Sequence, residues 1–277
     1  MNALKDTWYI TLRDLRTRIR MPIFLFMSMA QPILFLLLFP QIFNKMGSSM
    51  LPAGISYLQF FAPGILVMTS LFSAAFSGMG MIMDMDTGIL SRQMATPVTR
   101  VSIILGRVIA TVVVILAQAI VMLVIALLMG VHIKTGFGGV LLLLLLIGLL
   151  GTSLSAFSNG MALLLKRQET LMATVNLFTM PLMFLSTMMT PSQTVMGGVP
   201  ISLLPHWLDI VRHFNPIDYT IVGVRDLVIG KLDLTSGAYV HSYQYIGADL
   251  WHSFTVLGVM SAVLVIFATL MFRRRAE

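Results

Sequence analysis

Cysteine is absent from the 277 residues. That excludes disulfides, thiolate nucleophiles and thiolate metal ligands, and leaves the redox compartment open. Charge is scarce too: 10% of residues are Asp, Glu, Lys or Arg, against about 25% in an ordinary soluble domain. No phosphate-binding loop is present. Gly223 to Lys231 ends in Gly-Lys, but the spacing is wrong and Leu232 stands where a P-loop needs Ser or Thr. Neither H-E-x-x-H nor G-x-S-x-G occurs. The middles of the long apolar runs hold no Asp, Glu, Lys, Arg or His. A carrier coupled to protons or sodium needs an ionisable group in its path, so self-powered secondary transport is disfavoured. The same absence speaks against an intramembrane acid–base enzyme. The five histidines, His132, His206, His213, His241 and His252, lack tight ligand spacing and flanking acids, so no metal site is predicted.

What is present is hydrophobic length. Apolar residues make up 57% of the chain, and a bilayer core of about 30 Å needs about 20 of them in a helix. Six runs qualify, near 21–43, 60–83, 103–130, 139–165, 171–190 and 252–272. The expected fold is an all-α integral membrane protein of six transmembrane helices, with residues 1–277 forming one domain. The first run is too long for the h-region of a cleavable signal. The net charge of +7 reads as topology rather than nucleic-acid binding. With the N-terminus in the cytoplasm, 13 of the 18 Lys and Arg residues fall inside, among them Arg13, Arg16, Arg18, Arg20, Arg107 and Arg273 to Arg275. The positive-inside rule therefore puts both termini in the cytoplasm.

Residues 3–20 read as an amphipathic interfacial helix. Leu4, Trp8, Leu12, Leu15 and Ile19 share one stripe, and Arg13, Arg16 and Arg20 face away. The helix serves as an anchor on anionic lipid, as an elbow touching a cytoplasmic partner, or as both. Pro32 and Pro40 predict kinks in span one. Ser70, Ala74 and Gly78 in span two, and Gly148, Thr152, Ala156 and Gly160 in span four, form small-residue ridges that read as packing surfaces. Asn176 in span five reads as a helix-to-helix bond, or less commonly as a pathway residue. The segment 191–251 has apolar pieces too short to span, interrupted by prolines, and predicts an outer re-entrant helical hairpin between spans five and six. Trp207 and Trp251 suit the headgroup boundary.

Between spans two and three lies a 17-residue charged loop, Asp84 to Arg100, with Asp86 and Arg92 inside it. It is too short for a domain and too polar for lipid. It reads as a handle that something else pushes on, or as a plain marker of the water boundary. The next inner loop is only Lys166, Arg167, Gln168, Glu169 and Thr170. With no motor in the chain, energy must enter through such loops.

Several stretches together resemble the permease subunits of type-2 ATP-binding-cassette exporters. They are FFAPGI (Phe60 to Ile65), the loop with Gly88, Leu90, Thr96, Pro97 and Val98, Gly106-Arg107, and HFNPIDYTIVGVRDLVIG (His213 to Gly230). One departure is local, since SRQMATP is less acidic than in many relatives. The resemblance covers nearly the whole chain and implies a homodimer of permeases with two ATPase subunits. ATP and Mg would sit on those subunits, with no cofactor on this chain and no enzyme activity of its own. It implies coupling to the ATPase through Asp84, Asp86, Gly88, Arg92, Thr96 and Pro97, with a second contact at Lys166, Arg167 and Glu169. Spans two and five would line a path, through Met68, Phe72 and Phe76 and through Asn176, Met180 and Phe184. Asn215, Pro216, Tyr219 and Arg225 fall in the expected outer gate. Partners are then the ATPase subunit, a second copy and membrane lipids, without nucleic acid, in the inner membrane of a cell. A Met- and Phe-rich path suits a lipophilic or amphipathic cargo such as a drug, lipid or lipid-linked glycan. The alternatives are an ATP-independent secondary transporter and a membrane scaffold subunit that moves nothing.

Overall fold

The structure, a computed structural model, describes residues 3–20, 22–51, 55–96, 98–188, 193–196, 199–202, 205–232, 239–240 and 243–275. In chain order the helices are α1 (Ala3–Ile19), α2 (Pro22–Met50), α3 (Tyr57–Ala75), α4 (Gly78–Asp86), α5 (Ile89–Met94), α6 (Arg100–Leu128), α7 (Gly136–Leu165), α8 (Gln168–Phe184), α9 (His206–Arg212), α10 (Pro216–Ile229) and α11 (Tyr243–Arg275). Among the described residues, four helical stretches are long and apolar enough to cross a bilayer: Tyr57–Asp86, Arg100–Leu128, Gly136–Leu165 and Leu250–Phe272. Of the other two expected spans, α2 carries a shorter apolar stretch, Ser28–Phe43, and α8 is 17 residues long. α2 runs on through both Pro32 and Pro40.

The outer segment departs from an all-helical expectation. It contains two short antiparallel ribbons, β1 (Gln193–Met196) with β2 (Val199–Ser202) and β3 (Lys231–Leu232) with β4 (Tyr239–Val240). Between them lie α9 and α10. α10 is buried along most of its length and packs on α3, α7 and α11. α9 leaves Trp207 and Ile210 exposed, and Phe214 just beyond it as well. Exposed Trp207, and Trp251 at the start of α11's apolar stretch, fit the predicted boundary role.

α7 is the central post, touching α3, α4, α6, α8, α10 and α11. Its ridge packs as expected: a side chain at Gly160 would press on Phe267 and Ala268 of α11. Around this post are two apolar cores stacked end to end. One holds Phe60 to Ala74 of α3, Ile115 to Ala126 of α6, Leu143 to Leu154 of α7 and much of α10. The other holds Met81, Ile82 and Leu90, Ile103 to Val108 of α6, Ala156 to Leu163 of α7, and Phe272. Phe76 borders both. Buried polar residues lie where the cores meet: Ser77, Ser153, Ser155, Ser158, Asn159 and Ser261. Ser153 and Ser261 share a 2.8 Å hydroxyl bond that ties α7 to α11. Small hydroxyls permit close helix approach while satisfying one another or a carbonyl one turn back.

Candidate functional site

The charged loop is mostly helix. α4 carries the chain out of the second core and ends at Thr87, where Gly88 adopts φ +69°. An L side chain there would cost about 1–2 kcal/mol, which glycine avoids. The turn redirects the chain into α5. Leu90 points into the core while Ser91, Arg92, Met94 and Thr96 are exposed. Thr96 closes the helix by donating its hydroxyl to Gln93 O at 2.6 Å, and Thr99 caps α6. Pro97 lies outside the described residues. The result is a short amphipathic helix standing off the bundle on one apolar anchor, with Arg92 outward.

Asp84 has a different placement from its loop neighbours. It sits within α4, and its Oδ2 accepts from Arg13 Nη2 of α1 at 2.7 Å and from Arg107 Nη2 of α6. Arg107 is 2% exposed and Arg13 34%. A carboxylate between two guanidiniums ties α4 to α1 and α6, so Asp84 fastens the base of the charged loop. Asp86, one residue past the next, is exposed. Arg107 itself is buried among the helices. It enters α6 two turns from its start and is tolerated because an acceptor meets it.

α1 is three-faced. Thr7, Ile10 and Thr11 seat on α6, where Gly106 admits them: a side chain there would meet Ile10 and Thr7 O. Thr11 Oγ1 donates to Gly106 O at 3.1 Å, and Arg18 Nη2 to Thr111 Oγ1 at 2.9 Å. The apolar stripe faces outward, with Leu4 85% and Ile19 67% exposed. The second contact that the resemblance implies falls on a two-residue turn. Lys166 takes a left-handed conformation, φ 59°, to end α7, and Lys166, Arg167 and Glu169 are all exposed.

The two expected path faces are not on one surface. Met68 and Phe72 are buried in the first core, because α3 is enclosed by α2, α6, α7 and α10. Phe76 is half-buried and stacks on Phe72 at 6.3 Å. On α8, by contrast, Met180 and Phe184 are exposed with Leu177 and Phe178, and Asn176 is half-buried beside them.

At the opposite end of the α3–α4 rod, the expected gate residues are gathered. Asn215 caps α10, accepting from Ile217 N at 3.0 Å, and donates to Leu182 O of α8 at 2.6 Å. Pro216 takes the first helical position. Tyr219 donates to His213 O at 2.8 Å. Arg225 lies 4.0 Å over the Phe60 ring and donates to Thr187 O at 2.7 Å. Sequence reasoning missed Thr187 and Asp218, whose Oδ1 accepts from Thr187 N at 2.7 Å and from Thr187 Oγ1 at 2.6 Å. The available signal was three charged residues, Asp218, Arg225 and Asp226, in a mostly apolar run that had to be buried.

This arrangement is a bundle of apolar helices with an exposed, charged short helix at one end, and its similarity to known proteins gives the class. Residues 5–229 match the family described as ABC-2 type transporter. The chain belongs to that family, whose domain is a membrane component of transporters and is not itself catalytic. A "Putative transport permease ycf38" of Cyanophora paradoxa is 31% identical over 209 residues, 75% of this chain and 69% of that protein. A like-named permease of Porphyra purpurea is 28% identical over 207 residues, 74% and 68% of the two chains. The "Daunorubicin resistance ABC transporter permease protein DrrB1" of Streptomyces coeruleorubidus is 23% identical over 252 residues, 91% and 79%. The chain is thus an ABC transporter permease and a multi-pass membrane protein.

Proposed function

We propose that this permease is one membrane half of an exporter driven by ATP hydrolysed, with Mg, on a separate subunit docked at α5. The observation that carries this is the geometry of α5: exposed on its polar side, anchored by Leu90, and joined through α4 to a base that Asp84 ties to α1 and α6. The exposed Lys166–Glu169 turn offers a second, smaller contact. In this reading α2, α3–α4, α6, α7, α8 and α11 are six spans of the inner membrane, and both termini and α5 are cytoplasmic. α1 lies on the inner surface with Leu4, Trp8 and Ile19 in lipid.

Two copies pair across the face of α8, where Leu177, Met180 and Phe184 are exposed among the described residues. The path then runs along that face beside Asn176, not along Met68 and Phe72. Its apolar, Met- and Phe-bearing wall fits a lipophilic or amphipathic cargo, and the relative named for daunorubicin resistance favours a drug-like one. ATP binding shifts the membrane conformation only insofar as the partner contacts two conformations differently. α10, held by Asn215 and Arg225, forms the exit gate.

Affinity purification of the tagged permease tests the assembly. A binding-cassette ATPase and a second permease copy should co-purify, and the permease alone should not hydrolyse ATP. Reporters at Glu277 and Lys166 should read cytoplasm, and one at His241 the outside. Sustained ATP-independent flux by the permease alone would refute the motor-driven reading.

A further inference from the structure

We propose that Phe76–Ser77 is a joint in the second span, seated on Ser158 and Asn159 of α7, about which α4–α5 turns relative to α3. The apolar stretch Tyr57–Asp86 is not one helix. α3 ends at Ala75, Phe76 has ψ 2°, and α4 restarts at Gly78. Around the break the ladder tightens: Ser77 N donates to Ala74 O at 3.1 Å and Met79 N to Phe76 O at 3.1 Å, both three residues back. Gly78 N leaves the ladder altogether. It donates to Ser158 Oγ at 3.0 Å, and the same hydroxyl donates to Ala75 O. One serine on another helix therefore serves one orphan on each side of the break. Asn159 Nδ2 adds bonds to Ser77 Oγ at 3.2 Å and to Ser155 O at 2.8 Å.

Three features make this a joint rather than an accident of packing. No proline stands at the break, so nothing covalent forces it and side-chain chemistry holds it. Within an apolar stretch, unmatched backbone groups cost several kcal/mol each, so the break persists only where Ser158 meets it. Gly78 brings the start of α4 against α7 so closely that a side chain would overlap Ser158's backbone, which gives the rod a fulcrum. The break also falls where the two cores meet: α3 is embedded in one, α4 in the other, with Phe76 between. Spare bonding capacity lies beside it, since Asn159 Oδ1 and Ser155 Oγ have no hydrogen-bond partner among the described residues. A hydroxyl that rotates and an amide with an open acceptor can exchange bonds as the angle changes.

The inference deepens the coupling reading by naming where the handle's motion would enter the bundle, but its test uses no ATPase. The cysteine-free chain accepts spin labels without background. Labels at Ser56→Cys and Met83→Cys span the joint, and labels at Val113→Cys and Leu128→Cys lie along unbroken α6. Distances are read by double electron–electron resonance on the full permease in lipid nanodiscs. In Ser158→Ala, the distribution across the joint should roughly double in width, as Gly78 N and Ala75 O lose the hydroxyl that meets them, while the α6 pair stays unchanged. Asn159→Leu, which removes the bonds to Ser77 Oγ and Ser155 O but leaves both Ser158 bonds in place, should give the same change at smaller amplitude and serves if Ser158→Ala does not fold. An unchanged distribution across the joint, or equal broadening of both pairs, overturns the proposal.

Discussion

The two ends of the α3–α4 rod are fastened by buried charge in different ways. At the handle end, Asp84 joins three helices through side chains alone, taking Arg13 of α1 and Arg107 of α6 on one oxygen. At the gate end, Asp218 and Arg225 grip backbone: Thr187 N and O, with Phe60 beneath the guanidinium. A side-chain ion pair can be loosened by another charge, whereas a carboxylate bound to a backbone amide fixes the local fold. The Asp84 end can exchange contacts, whereas the Asp218 end holds α10 to the chain that leaves α8.

The largest effect should come from breaking the handle-end cluster one-sidedly. Asp84→Ala leaves Arg107 buried without its carboxylate and should cost about 3–5 kcal/mol, read as lowered resistance of the purified permease to denaturant. The double variant Asp84→Leu, Arg107→Leu should recover most of that loss, because an apolar pair needs no partner. At the gate end, Asp218→Ala strands two Thr187 donors and should cost about 2–3 kcal/mol, with no rescue from altering Arg225. Rescue there would show that the two ends are built alike. Asn215→Ala removes a cap and a bond to Leu182 O and should cost about 1 kcal/mol in the same assay. The smallest effect on stability belongs to Arg92→Ala, within about 0.5 kcal/mol, since the exposed side chain touches nothing that holds the bundle.

The long spans were legible because apolar runs of bilayer length have few alternatives: 103–130 and 139–165 became Arg100–Leu128 and Gly136–Leu165. The exposed apolar stripe of α1 was legible from its helical period. Its seat on α6 was not, because Thr7 and Thr11 show no apolar period. The break in span two was hidden too. Ser77-Gly78 sits in an apolar run, where Gly78 read as part of a packing ridge and does pack closely, but the partner that permits a break is Ser158, 80 residues from Gly78. Arg107 was counted with the cytoplasmic charges, because the acceptor that lets it be buried lies on another helix. Met68 and Phe72 shared a helical face with Phe76, and periodicity cannot say whether such a face meets a second chain or a neighbour in the same one. Asn215-Pro216 was recognised as a motif, and the structure adds its local reason, a capped first turn.

The central claim is that α5 passes force from an ATPase to the bundle. Its most direct test is transport and ATP hydrolysis measured together in vesicles holding the permease with its ATPase subunit, comparing wild type with Arg92→Glu. The account expects Arg92→Glu to insert, fold and pair normally while transport falls and ATP hydrolysis loses its response to substrate. Full coupled transport from Arg92→Glu at normal expression would contradict it.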